Sequence, residues 1–527
     1  MKIAIYTLGC KVNQYETQAM ESCLRDRGHE LVPFEKAADA YIINTFAVTA
    51  VSGHKSRQII RRAQKQNPAA VVAVCGCYAQ TDPEAVAALG VDLVGGSDRR
   101  MEFLADLERL MDKKIMSTTR KLDAGCTGSD PDFRGFEVGL AGFGGGLTDP
   151  EEKIAPLVTV GNIMSTRTFE ELPAGGLSTR TRAMLKVEDG CVNFCSYCII
   201  PYARGPVRSL PLDKAAAEAQ RLMEEGYREI VVTGIEISSW GQDLKAHSKA
   251  GNKTEAEGRF FCLGEAEPLR TEGTAEGKTE GRFFCLGEAA QDNKNRPCCL
   301  APSPCLADLV EAICAAAPRC RIRLGSLEPR TVTEDFCRRV SSLHNLCPHF
   351  HLSMQSGCDG TLKRMNRKYD TARYYESVEL LRKYYVNPGI TTDLIVGFPG
   401  ESEEEFGETL AFIRKCGFSA MHIFPYSRRP GTPADKMPGQ VSKAVKEDRA
   451  RRAAELAGEL EAAYLQSWVG KELTVLFEEP DPDHPGFWRG HAPNYTAVRA
   501  AGEDLHNMER AVRICDVDGE YLVGELT

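Results

Sequence analysis

Apolar positions along the first hundred residues recur with two different periods. Short β-branched runs, IAIYTL (3–8), DAYIINT (39–45) and AVVAVC (70–75), read as strands, and the amphipathic stretches 13–27, 51–66 and 98–112 read as helices. Their alternation predicts a parallel α/β domain over 1–114. Residues 115–179 break the pattern: TGSDPDF and LAGFGGGL are rich in Gly and small polar residues and read as a linker or irregular insertion. From 180 to 440 the alternation returns. RAMLKVE (182–188), EIVVTG (229–234), RIRLGS (321–326), HFHLSM (349–354), ITTDLIVG (390–397) and SAMHIF (419–424) read as strands, with helices expected over 211–225, 305–317, 331–343, 371–385 and 402–416. Six βα units predict a parallel sheet curling into a full or partial barrel. A polar insertion at 246–304 interrupts it and carries EGRFFCLGEA twice, at 257–266 and 280–289; two copies are too few for a solenoid. A connecting helix (441–467) leads to 468–527, where ELTVLFEE, HAPNYTAVRA, RAVRICDVDG and YLVGEL have strand patterns and predict a small β-barrel.

Composition narrows the function. The 527 residues are 43% hydrophobic and 26% charged, the balance of a globular chain of three or four domains. No apolar run approaches a membrane span, and the polar N-terminus does not read as a signal peptide, so a cytoplasmic protein with no membrane partner is expected. In that reducing compartment the 20 Cys point to metal or thiol chemistry where closely spaced. Isolated ones, such as Cys23, Cys314 and Cys416, read as small buried hydrophobes, and Cys262 and Cys285 in the repeat could pair or bind metal. The net charge of −9 argues against a broad nucleic-acid binder and leaves room for local basic patches.

The strongest chemical signal is CVNFCSYC. Cys191, Cys195 and Cys198 follow the first strand of the second region with C-x3-C-x2-C spacing. Three thiolates on one loop suit three irons of a [4Fe–4S] cluster and leave the fourth iron open. A structural zinc site needs a fourth Cys or His, and none occurs in the next ten residues, IIPYARGPVR. With Tyr197 before the last Cys, the motif resembles the radical S-adenosylmethionine (SAM) enzymes. The resemblance implies a partial (β/α)6 barrel whose unique iron binds the amino and carboxylate groups of SAM. It also implies one-electron cleavage of SAM to a 5′-deoxyadenosyl radical, with Cys191, Cys195 and Cys198 as metal-binding and catalytic residues. Further SAM contacts are expected at successive strand ends: Gly234 and Glu236 in TGIEIS, Glu328 in SLEP, Gln355 in SMQSG, and Gly397 in DLIVGFPGE.

TLGCKVNQYET, NTFAVT and GCYAQ place Cys10, Phe46 and Cys77 after successive N-terminal strands, on one rim of a parallel sheet. With the barrel and terminal β-module this pattern resembles the methylthiotransferases, radical SAM enzymes that insert sulfur and a methyl group at an unactivated C–H bond. The resemblance implies an auxiliary [4Fe–4S] cluster held by one Cys from each of the three loops. Here Cys10 and Cys77 match, and Phe46 stands where the family has Cys. Three accounts remain open: Cys75 substitutes, two thiolates hold the cluster with an outside ligand, or the cluster and sulfur insertion are lost.

Among the family's branches, TGIEISSWGQDL, RLGSLEPRTVTEDF, CPHFHLSMQSGCDGTLKRMNRKY and KMPGQV resemble most the one that acts on N6-threonylcarbamoyladenosine in tRNA. That implies two SAM per turnover, hydrogen abstraction from C2 of the adenine, the tRNA anticodon arm as partner, and a reductant such as flavodoxin or ferredoxin. The C-terminal module resembles the RNA-binding TRAM domain. Arg489, Tyr495, Arg499, Arg510 and Arg513 are candidate phosphate contacts and Phe487 and Trp488 candidate stacking residues, with KRMNRKY (363–369) and KSRQIIRR (55–62) adding local positive charge.

Overall fold

The computed structural model describes residues 1–47, 50–124, 155–173, 181–244 and 304–527. TGSDPDF, LAGFGGGL and both copies of EGRFFCLGEA lie outside the described residues.

The N-terminal sheet is parallel throughout and ordered β2-β1-β3-β4-β5-β6, from β1 (Lys2–Thr7), β2 (Glu30–Leu31), β3 (Ala40–Thr45), β4 (Val71–Gly76), β5 (Leu93–Val94) and β6 (Leu157–Val158). Its central strands are buried on both faces, which is why their apolar runs are nearly continuous. On one face Tyr41, Ile43, Val72 and Val74 pack with Ile60 and Ala63 of α2 (Ala50–Gln66). On the other, Ile42, Ala73 and Cys75 pack with Met20 and Leu24 of α1 (Lys11–Asp26) and Leu104 and Leu107 of Arg100–Ala124. The stretch read as linker is partly structural: it supplies β6, and its Phe169 and Leu172 join the main core.

The second region begins with β7 (Arg182–Lys186), a β8–β9 hairpin-like pair (Glu188–Asp189 and Arg208–Ser209), β10 (Glu229–Thr233) and β11 (Arg321–Leu324). It continues through β12 (Ser326–Leu327), β13 (His349–Leu352), β14 (Gly389–Val396) and β15 (Ala420–Pro425). The expected single sheet is two parallel sheets, β7-β10-β11 and β12-β13-β14-β15, parted at Gly325 and bridged by Ile322 and Leu346. Together they form the open half-barrel. The helices on its outside fall close to the expected positions, and Glu403–Cys416 shows why: Ser402 and Glu405 cap its start reciprocally and left-handed Gly417 ends it.

A long helix, Lys443–Gln466, reaches the C-terminal module. There β16 (Glu472–Pro480), β17 (Phe487–His491), β18 (Ala497–Ala501), β19 (Glu509–Asp518) and β20 (Tyr521–Leu526) close into a barrel over Val475, Phe477, Val498, Val512 and Leu522. The run HAPNYTAVRA, expected as one strand, is the end of β17, a turn and the start of β18.

Candidate functional site

The CVNFCSYC loop leaves β8 through Gly190, at φ +90°, where any Cβ would collide with the Pro206 carbonyl oxygen. The loop is then clamped from several sides. Cys191 N donates to Gly205 O (3.0 Å), Ser196 N to Met365 O (3.0 Å), Ala434 N to Ser196 O (2.8 Å), and Asn366 Nδ2 to Phe194 O (2.8 Å). Phe194 is held at φ +46°. Arg367 Nη1 donates to Cys195 Sγ at 3.3 Å, and backbone amides of Asn193 and Ile200 donate to the Cys191 and Cys198 sulfurs. The three thiols are electrostatic neighbours; burial pushes Cys191 up strongly and Cys198 up to about 12. Among the described residues no three Cys, His or carboxylate side chains already converge in metal-binding geometry. The donor set nevertheless suits a cluster of the [4Fe–4S] kind with an open iron: three soft sulfurs on one rigid loop, with sulfur-directed N–H donors.

Of the expected SAM contacts, Glu236 is close enough for its charge to act on Cys191, and Gly397 adjoins Phe398, which packs on Tyr197 of the loop. Glu236 caps the turn Ile237–Ser239 through Ser238 N, and its own amide donates to Glu188 Oε2 at 2.7 Å. Burial, then the neighbouring Glu328, pushes the Glu236 carboxyl up to about 7. Glu328 forms a two-point pair with Arg330 (3.0 and 2.8 Å). A Cβ at Gly234 would stand 2.8 Å from Glu188 Oε2. Gln355, at φ +66°, bridges to β14 through Asp393 O and Ile395 N. Gly397, at φ +69°, donates its amide to Glu401, and the Lys446 side chain fills the space over its Cα. Its neighbour Phe398 packs edge-on against Tyr197.

The N-terminal thiols lie on the same rim. Cys10 is the N-cap of α1, and Cys77 opens the short helix Cys77–Thr81 after β4. Burial and then the nearby Cys10 push the Cys77 thiol up, against the pull of Arg204, and Cys77 is close enough to act on Cys198. A Cβ at Gly9 would meet the Phe46 ring at 2.9 Å, so Phe46 does occupy the third loop position, beside Cys10. Cys75 is fully buried on the sheet face packed by α1, within the Met20 and Leu104 cluster, which removes it as a substitute ligand. The donors here do not fit a three-thiolate cluster: two thiols and an aromatic ring stand where three sulfurs are needed.

Sequence reasoning missed the buried charge network between the thiol sets. Arg204, fully buried on the helix Ile200–Arg204, donates Nε to Cys77 Sγ (3.3 Å) and Nη2 to Asn13 Oδ1 (2.7 Å), and pairs with Glu16. Arg100 Nη2 meets Glu16 Oε2 (2.8 Å), while Lys186 Nζ meets Glu16 Oε1 (3.1 Å) and Asp189 Oδ2 (2.7 Å). Burial alone would raise Glu16; Arg100, Arg204 and Lys186 outweigh it and hold the carboxyl well below its usual range. The one signal available was a charged residue on the apolar face of α1, since Glu16 lies between Tyr15 and Thr17 in a buried stretch.

Several residues expected at an RNA surface have other partners. Arg499 is buried and pairs with Asp481 (2.5 Å) and Asp518 (2.7 Å), and Arg489 pairs with Asp481 and Asp483 (both 2.7 Å). Trp488 packs against the barrel core, Phe487 lies edge-on to His484, and Tyr495 stacks on His491. Arg510, Arg513, Lys55, Arg61 and Arg62 are exposed. KRMNRKY serves the cysteine loop: Arg364 O, Met365 O, Asn366 and Arg367 all bond to it. Cys314 and Cys416 are buried as expected, whereas Cys23 is half-exposed.

Among the described residues no helix is long and apolar enough to cross a membrane. Residues 2–96 match the family described as "Uncharacterized protein family UPF0004", and residues 301–413 match the "Radical SAM superfamily". The chain is 33% identical to the threonylcarbamoyladenosine tRNA methylthiotransferase MtaB of Bacillus subtilis (strain 168), over 99% of this chain and 96% of that protein. The MtaB protein of Aquifex aeolicus (strain VF5) is 32% identical over 91% and 93%. The tRNA-2-methylthio-N(6)-dimethylallyladenosine synthase of Alkaliphilus oremlandii (strain OhILAs) is 27% identical over 95% and 88%. The chain belongs to the radical SAM tRNA methylthiotransferase family.

Proposed function

We propose that this enzyme adds a methylthio group to C2 of N6-threonylcarbamoyladenosine beside the tRNA anticodon, in the cytoplasm, at the expense of two SAM. What carries this reading is near full-length similarity to relatives named for that substrate. In it, Cys191, Cys195 and Cys198 hold a [4Fe–4S] cluster, which when bound supplies single-electron reduction of the SAM sulfonium. The protein's own residues do the rest. Arg367 and the amides of Asn193 and Ile200 orient the sulfurs. Glu236 and Glu328 offer carboxylates to the SAM amino group, while Gly234, Gln355 and Gly397 shape the strand ends around it. The electron comes from a small reductant such as flavodoxin or ferredoxin.

Phe46 favours a second reading, in which Cys10 and Cys77 alone fail to support sulfur insertion and the enzyme cleaves SAM without transferring sulfur. Mass spectrometry of tRNA nucleosides from a host lacking its own enzyme tests both. The first reading expects the 2-methylthio product from the wild-type chain. The second expects it from Phe46→Cys alone, with SAM cleavage in both proteins. Product from neither, despite SAM cleavage, overturns the substrate assignment.

A further inference from the structure

The half-barrel contains a cavity of about 370 Å3 that none of the cluster or SAM residues lines. Three parts of the chain build it: Lys11 and Gln14 from the first turn of α1, Arg182, Met184, Val231 and Arg323 from the barrel strands, and Glu479 and Tyr495 from the C-terminal module. Side chains two residues apart on a strand share a face. Met184 therefore lies beneath Lys186 on β7 and Val231 beneath Thr233 on β10, so the cavity runs below the rim that carries Cys191. Lys11 adjoins Cys10 and is close enough to β13 for its charge to act on His349.

The lining is polar and its charges are unevenly matched. Arg323 is taken up by Glu229 (2.7 and 2.9 Å) and Arg182 by Glu478 (2.6 Å). Tyr495 is fixed between His491 and His349, with the Arg323 guanidinium 4.7 Å from its ring centroid. Lys11 and Glu479 remain, each without an ion-pair or hydrogen-bond partner among the described residues. One spare cation and one spare anion in a polar cavity suit a group with both a carboxylate and N–H or O–H donors. They suit a branched hydrocarbon poorly, because its burial would strip water from both charges without replacing it.

We propose that this cavity receives the N6 substituent of the target nucleoside, with Lys11 binding its carboxylate and Glu479 accepting from its ureido N–H or hydroxyl. Lys11 is thus a specificity residue for an amino-acid-modified adenosine. The assignment rests on the substrate reading above. A second anion, an RNA backbone phosphate, offers the same chemistry to Lys11, so the test varies the carboxylate alone.

Anticodon stem-loops carrying the threonylcarbamoyl group as free acid or as methyl ester are titrated against the full chain with SAM present. The wild type should prefer the acid by about tenfold, the value of one charge-assisted hydrogen bond. Lys11→Met should bring the ratio close to one, and Lys11→Arg should keep most of it. Lys11 is exposed, so these variants test binding without disturbing the core. An acid preference that survives Lys11→Met overturns the assignment, as does equal weakening of acid and ester, which puts Lys11 on a phosphate. If the wild type binds a dimethylallyl-modified loop more tightly than either, the substrate reading itself falls.

Discussion

Phe46 puts a ring against Gly9 and Cys10 at the corner where a third sulfur would stand. No rotation of a phenyl group yields a ligand, so restoring the thiol is the direct test. The two readings part on iron content: reconstituted wild-type protein carries about four irons per chain and Phe46→Cys about eight if sulfur insertion is lost, whereas the methylthiotransferase reading needs about eight in both, read by iron assay and electron paramagnetic resonance. Eight irons in the wild type would show that two thiolates suffice. Glu236 makes a second prediction at this scale. Its carboxyl titrates near 7 when folded, against an ordinary value of 4.5, because of burial and then Glu328. The folded state therefore holds this proton more tightly than the unfolded chain. That contribution is complete below about 4.5 and is lost as pH rises through about 7. Without SAM, Glu236→Gln should thus be more stable than wild type near pH 8, on the order of 1–2 kcal/mol, and gain nothing below about pH 4.5. Thermal unfolding across this range decides it; a gain confined to acid pH would reverse the sign.

Strands and outer helices followed their periodicity closely, because a strand buried on both faces has little choice but a continuous apolar run. The short elements were invisible. Ile200–Arg204 is too brief to show a period, yet it carries Arg204 into a fully buried network joining the first domain to the barrel. Replacing it with Met leaves Glu16 short of a partner. Arg204→Met should cost roughly 3–5 kcal/mol in urea unfolding, the usual penalty for breaking one side of a buried pair. A loss under about 1 kcal/mol would mean that Arg100 and Lys186 satisfy Glu16 alone. KRMNRKY carries the same lesson. Its charge density resembled a nucleic-acid patch, but four of its residues brace the cysteine loop through main-chain and side-chain bonds that composition does not encode.

At the scale of the whole molecule, a net charge of −9 must still accommodate tRNA, so binding depends on local cations and should fall at least tenfold between about 50 and 200 mM salt. The structure sorts those cations. Arg510→Ala and Arg513→Ala, at exposed positions, should each flatten the salt slope while leaving the melting temperature in place. Arg499→Ala, which breaks pairs to Asp481 and Asp518, should lower the melting temperature first. Equal salt slopes for all three variants would show that the C-terminal barrel does not meet the phosphates. The amino-acid order by itself determined the alternating strands and helices, the three-sulfur loop and the missing third thiol. Those are local properties, written in period, spacing and residue type. Tertiary structure alone decided which charges are spent on one another, that Cys75 faces the wrong side of its sheet, and that Lys11, Arg323 and Tyr495 share one cavity. Each of these depends on contacts between residues far apart in the chain, and pairing across such distances leaves no trace in local pattern.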